Sequence, residues 1–93
     1  MERLDDDAIA AALQGLQWDR DGDRLVRVVK RKDFAEAMEF VNGVAQLAEG
    51  ANHHPDITVS WNTVTLHLTT HSADGITQND ISLAAAIDGL LPA

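Results

Sequence analysis

The 93-residue sequence contains no cysteine. Disulfide staples, thiolate metal sites and cysteine nucleophiles are therefore excluded, and a reducing compartment is favoured. No apolar run is long enough to span a bilayer, and the acidic opening Met1-Glu2-Arg3-Leu4-Asp5-Asp6-Asp7 holds no apolar core of a leader. The expectation is a soluble, cytoplasmic chain without membrane association. Beyond Lys32 there is no lysine or arginine. The seven basic residues (Arg3, Arg20, Arg24, Arg27, Lys30, Arg31 and Lys32) are matched by seven acids in the same stretch, so the eight acids from Asp33 onward carry the whole net charge of −8. Nothing in that part could replace the counterions on phosphates, which argues against nucleic acid as a partner. The Arg24–Lys32 cluster reads as the solvated face of a strand.

What is present suffices for one domain over residues 1–93. Apolar residues make up 45% of the chain, and a core of that size is modest for its surface, so self-association would add useful burial. Residues 5–14 read as a helix, with Asp5, Asp6 and Asp7 at its positive end, Ile9, Ala12, Leu13 and Leu16 at helical spacing, and Gly15 as its stop. Asp21-Gly22 between two extended stretches predicts a hairpin. Trp18, just before it, fits either a core position or the wall of a ligand pocket. Asp33-Phe34-Ala35-Glu36 reads as a capping box. It opens a long helix with Phe34, Ala37, Met38, Val41, Ala45 and Ala48 on its buried stripe and Gly50 as its stop. Asp56–Trp61 and Thr63–His71 alternate as two strands of a second hairpin, with Ile57, Val59 and Trp61 on one apolar face. Thr77-Gln78-Asn79-Asp80 has the spacing of another capping box and begins a last helix. The order α-β-β-α-β-β-α predicts an α+β fold, a four-stranded antiparallel sheet with three helices on one face.

The stretch Glu49-Gly50-Ala51-Asn52-His53-His54-Pro55 stands apart. Each imidazole needs partners for two ring nitrogens once it leaves water, so adjacent histidines fill a core poorly. Pro55 biases His54 toward an extended backbone, which displays the pair where a helix has just ended. His71 stands at the end of the following hairpin, where a loop begins and ligand sites commonly form. His67, on the face with Thr65 and Thr69, reads as a surface residue. Asp80 is both a helix cap and a carboxylate that could orient a histidine.

Glu49, three residues, His53-His54-Pro55, then Trp61, His71 ten residues later, and Asp80 at the start of the last helix together resemble the pterin-4a-carbinolamine dehydratase family. Thr70-His71, Gly75-Ile76-Thr77 and Asp80-Ile81-Ser82-Leu83-Ala84 are similar to its closing segment, and Leu16 to Trp18 to its opening hairpin. Arg31 stands where members usually carry an aromatic residue. The resemblance implies dehydration of a 4a-hydroxytetrahydropterin to the quinonoid dihydropterin, supporting tetrahydrobiopterin recycling, and a homodimer or homotetramer. His53 and His71 would transfer protons, and His54, with Pro55, Trp18 and Trp61, would hold the pterin. Glu49 and Asp80 would support the rings. Imidazole suits the task because its ordinary pKa, about 6.5, leaves both acid and base near neutrality. Neither a metal nor an organic cofactor is implied. Two rivals are a zinc or iron site built from Glu49, His53 and His71, and a non-catalytic dimerisation or interaction module. A role in another pterin pathway is a further alternative.

Overall fold

A computed structural model describes residues 2–92. Helix α1 (Asp6–Leu13) is followed by strands β1 (Asp19–Asp21) and β2 (Arg24–Lys30), helix α2 (Phe34–Ala51), strands β3 (Asp56–Ser60) and β4 (Thr63–Leu68), a 3₁₀ turn (His71–Ala73) and helix α3 (Gln78–Asp88). The antiparallel sheet runs in the order β1-β2-β4-β3. Alternation along the strands sends Leu25, Val29, Val64, Leu66 and Leu68 to one face, where they join Ile9, Ala37, Phe40, Val44, Leu83, Ala84 and Ile87 from the three helices in a single core. Each Val, Leu, Ile or Phe side chain among them contributes roughly 1.5–3 kcal/mol when fully buried. The other face carries Thr63, Thr65 and His67, and His67 lies between Val26 and Asp56 on neighbouring strands. Among the described residues no helix is long and apolar enough to cross a membrane.

Several local expectations shift for identifiable reasons. The first hairpin turns at Gly22-Asp23, one residue later than Asp21-Gly22, because Asp21 pairs with Arg24 and Gly22 takes φ +62. Asp33 caps α2 by accepting from the Glu36 amide at 2.8 Å, but the Glu36 carboxylate turns to Arg31 at 3.0 Å instead of closing the box. The buried stripe of α2 is Ala37, Phe40, Val44 and Ala48, while Phe34 and Ala45 face outward. Ala37 and Ala48 hold their expected places and Val41 packs against the core, so only Phe34 and Ala45 leave the expected stripe, while Phe40 and Val44 join it.

Helix α2 also runs through Gly50 and ends at Asn52, which adopts the left-handed conformation at φ 50, ψ 43. The Asn52 amide donates to Glu49 O at 3.3 Å and the His53 amide to Ala48 O at 3.1 Å. This is the Schellman arrangement, and it satisfies carbonyls that the helix end would otherwise leave open. Asparagine tolerates the left-handed region better than other residues with a side chain, so glycine is not needed. The cap fixes the direction in which the chain leaves the helix and thus where His53 begins.

The two tryptophans occupy opposite settings, and Trp18 takes the core position of its two expected ones. Trp18 is 4% exposed and sits in the core, its indole N–H donating to Asp88 Oδ1 at 2.9 Å. Trp61 lies in the two-residue turn after β3 with φ +50 and is 68% exposed. Asn62 beside it is buried and donates from Nδ2 to Arg31 O at 2.9 Å, so the turn is tied to the end of β2. Trp61 is separated from the start of β3 by five residues, roughly 16 Å of strand.

Asn52→Ala is expected to lower unfolding stability by about 1 kcal/mol and Asn52→Gly to change it little, because only the alanine pays for the left-handed backbone. Urea denaturation of the three proteins measures this.

Candidate active site

Helix α3 begins at a reciprocal capping box between Thr77 and Asp80. That cap draws a carboxylate into the interior: Asp80 has no solvent exposure. Its Oδ2 accepts the Thr77 amide at 2.9 Å and the Thr70 hydroxyl at 2.8 Å. Its Oδ1 lies 2.5 Å from His53 Nε2. The position at a helix N-terminus and three donors offset the cost of removing a carboxylate from water. Because a carboxylate accepts, the hydrogen on the neutral His53 ring resides on Nε2, and Nδ1 is left as the nitrogen able to exchange a proton with a ligand.

His53 lines a groove of about 380 Å³ between the end of α2 and the start of α3. Leu47, Gly50, Ala51, Leu83 and Ala86 supply apolar walls, and Gln46, Asn79 and Ser82 supply polar groups. The groove has the size class of a small-molecule site. His54, the next residue, points elsewhere. Its Nε2 lies 2.5 Å from Glu49 Oε2, and both side chains are mostly exposed. An exposed pair of this kind contributes no more than about 1 kcal/mol. Pro55 is half-buried beside it.

His71 opens the 3₁₀ turn and is exposed. The turn is closed by a bridge between Thr70 and Gly75, with the Thr70 amide donating to Gly75 O at 2.9 Å. Leu4 donates from its amide to Ile76 O at 2.8 Å, and Arg3 Nη1 reaches Asp74 O at 3.2 Å, so the N-terminal segment backs the same loop. Gly75 leaves the room that the Arg3 methylenes occupy, since a Cβ there would overlap them.

The fold thus joins His53 to Asp80, Asp80 to Thr70, and Thr70 by the chain to His71, with His54 and Glu49 on the adjoining surface. Trp18 and Trp61 are outside this arrangement. Glu49 and His53 turn to different partners, and among the described residues no three His, Asp or Glu side chains gather as a set able to hold a metal ion. The buried hydroxyls of Thr70 and Thr77 were not evident from sequence as site residues. The signals were Thr77 as a helix cap, which already placed it beside Asp80, and the place of Thr70 and Thr77 in the closing segment that carries the resemblance.

An acid–base site of this kind on an α+β sandwich also has relatives. The sequence model of the family described as pterin 4 alpha carbinolamine dehydratase matches residues 2–90. A protein of Thermomicrobium roseum, provisionally named a pterin-4-alpha-carbinolamine dehydratase, is 60% identical over 85 residues, covering 90% of this chain and 91% of its own. The crystal structure of a transcriptional coactivator/pterin dehydratase from Brucella melitensis superposes with a TM-score of 0.93 at 32% identity, covering 98% of this chain and all of that one. A pterin dehydratase-like protein identified as a RuBisCO assembly factor in the alpha-carboxysome shares the fold, with a TM-score of 0.66 at 20% identity over 81% of this chain and 87% of its own. The chain belongs to the pterin 4 alpha carbinolamine dehydratase family.

Asp80→Ala is expected to destabilise the protein by at least about 3 kcal/mol, because a buried amide, hydroxyl and imidazole lose their acceptor together. His54→Ala should stay within about 0.5 kcal/mol, as suits an exposed position. Thermal and urea unfolding compare the two.

Proposed function

We propose that the chain accelerates loss of water from a 4a-hydroxytetrahydropterin, giving the quinonoid dihydropterin and so supporting recycling of tetrahydrobiopterin. The observation that carries this reading is the His53–Asp80 pair, a fully buried carboxylate 2.5 Å from an imidazole that lines an open groove. In the substrate a hydroxyl-bearing carbon adjoins a ring nitrogen that carries hydrogen. One proton must be added to the departing oxygen, which leaves as water. Another must leave the nitrogen as the carbon–nitrogen double bond forms. The protein gives one proton and takes one.

Imidazoles suit both halves, and a placed acid or base contributes about 10²- to 10⁴-fold. In this scheme His53 takes the nitrogen's proton on Nδ1, and Asp80 stabilises the imidazolium that results, as a carboxylate does behind the histidine of a hydrolase triad. His71, exposed at the head of its turn, delivers a proton to the leaving hydroxyl. His54, outside the groove and steadied by Glu49, would hydrogen-bond the part of the pterin that extends past it, and Pro55 would offer an apolar surface to the flat ring. The scheme needs no metal and no organic cofactor.

A homodimer or homotetramer is part of the same proposal. Val28, Phe34, Trp61 and Leu90 are exposed apolar side chains on which copies could associate, and sedimentation equilibrium reads the outcome.

Replacing His53 and His71 together by alanine is expected to return dehydration to its uncatalysed rate in stopped-flow assays, in a protein that still unfolds cooperatively. Retained acceleration in that variant overturns the assignment. His54→Ala should raise KM with little change in kcat.

A further inference from the structure

We propose that Thr70 is a positioning residue that sets both proton-transferring histidines at once, fixing the ring of His53 through Asp80 and the backbone that presents His71. The proposal rests on reading His53 and His71 as the groups that move protons. Thr70 follows β4, is 7% exposed, and has its Oγ1 2.8 Å from Asp80 Oδ2 and 2.8 Å from Thr77 Oγ1. A hydroxyl has a single hydrogen, and Thr70 gives that hydrogen to the carboxylate. Thr77 must therefore be the donor to Thr70. The Thr77 oxygen in turn accepts from the Asn79 amide at 3.3 Å. Hydrogen bonding runs in one direction only, from the α3 backbone through Thr77 and Thr70 to Asp80.

That polarity has a consequence for His53. With the Thr70 hydroxyl and the Thr77 amide both held on Oδ2, the carboxylate cannot turn, and Oδ1 is left facing the imidazole. The ring is then held with its hydrogen on Nε2. Thr70 also forms the Gly75 bridge that closes the turn beginning at His71. The side chain of Thr70 thereby acts on His53, while its main chain anchors the turn that His71 opens. Asp80 alone could orient His53, but its hydrogen bonds reach the turn that carries His71 only through Thr70.

The test compares Thr70→Val, which keeps the shape and removes the hydroxyl, with Thr70→Ser, which keeps the hydroxyl. In Thr70→Val, kcat for carbinolamine dehydration is expected to fall about tenfold, the rate equivalent of one lost hydrogen bond, with KM within about twofold of the parent value. Thr70→Ser should retain parent-like kcat. Nitrogen-15 spectra of the histidines should show the parent His53 with hydrogen on Nε2, and both tautomers populated in Thr70→Val. Thr77→Val, which leaves the Thr70–Asp80 bond in place, should give the same changes in weaker form and serves if Thr70→Val does not fold. Unchanged kcat and unchanged His53 spectra in the folded valine variants overturn the proposal. If the parent protein does not accelerate dehydration, the functional reading fails, and the spectra alone decide whether Thr70 sets the ring.

Discussion

A carboxylate with no access to water constrains everything around it. Asp80 can be ionised in the interior only because a backbone amide, a hydroxyl and an imidazole all point at it, and an unpaired carboxylate there would cost several kcal/mol. Those three donors come from the cap of α3, the second residue after β4 and the residue after the α2 cap. Meeting the needs of one side chain therefore brings three remote segments to a fixed point. The stability of the fold and the geometry of the candidate site have the same origin.

The other end of α3 is tied by a second acid. Asp88 lies at the helix C-terminus, where the helix dipole disfavours negative charge. It accepts from the Gln17 amide and the Trp18 indole, both at 2.9 Å, with Arg27 Nε 4.0 Å away. These donors offset the dipole and dock the opening hairpin against the helix. Helix α3 is thus held at both ends by carboxylates, one facing His53 and one facing the segment that leads into β1.

The order of elements, the N-caps of α2 and α3 and the location of the histidine stretch could be read from local signals, because capping, alternation and turn chemistry act over a few residues. What could not be read was decided by partners far away in sequence. Gly50 looked like the stop of α2 on propensity, yet Asn52 supplies the left-handed residue and the helix continues. Glu36 looked committed to its own helix cap until Arg31 offered an ion pair. Trp61 fitted the apolar face by alternation, but the turn takes it out of the strand and exposes it. In the candidate site, the acid and the histidines were legible as residues of the right chemistry at the right spacing. The hydroxyls of Thr70 and Thr77 were not, because a threonine at the end of a strand has no local mark of burial.

The two indoles occupy opposite environments: Trp18 is enclosed and hydrogen-bonded, and Trp61 is largely in water on a turn anchored by Asn62. With no other tryptophan and no tyrosine in the chain, its near-ultraviolet emission resolves into two independent reporters. The red-shifted component follows events at the molecular surface, and the blue-shifted one follows the integrity of the interior.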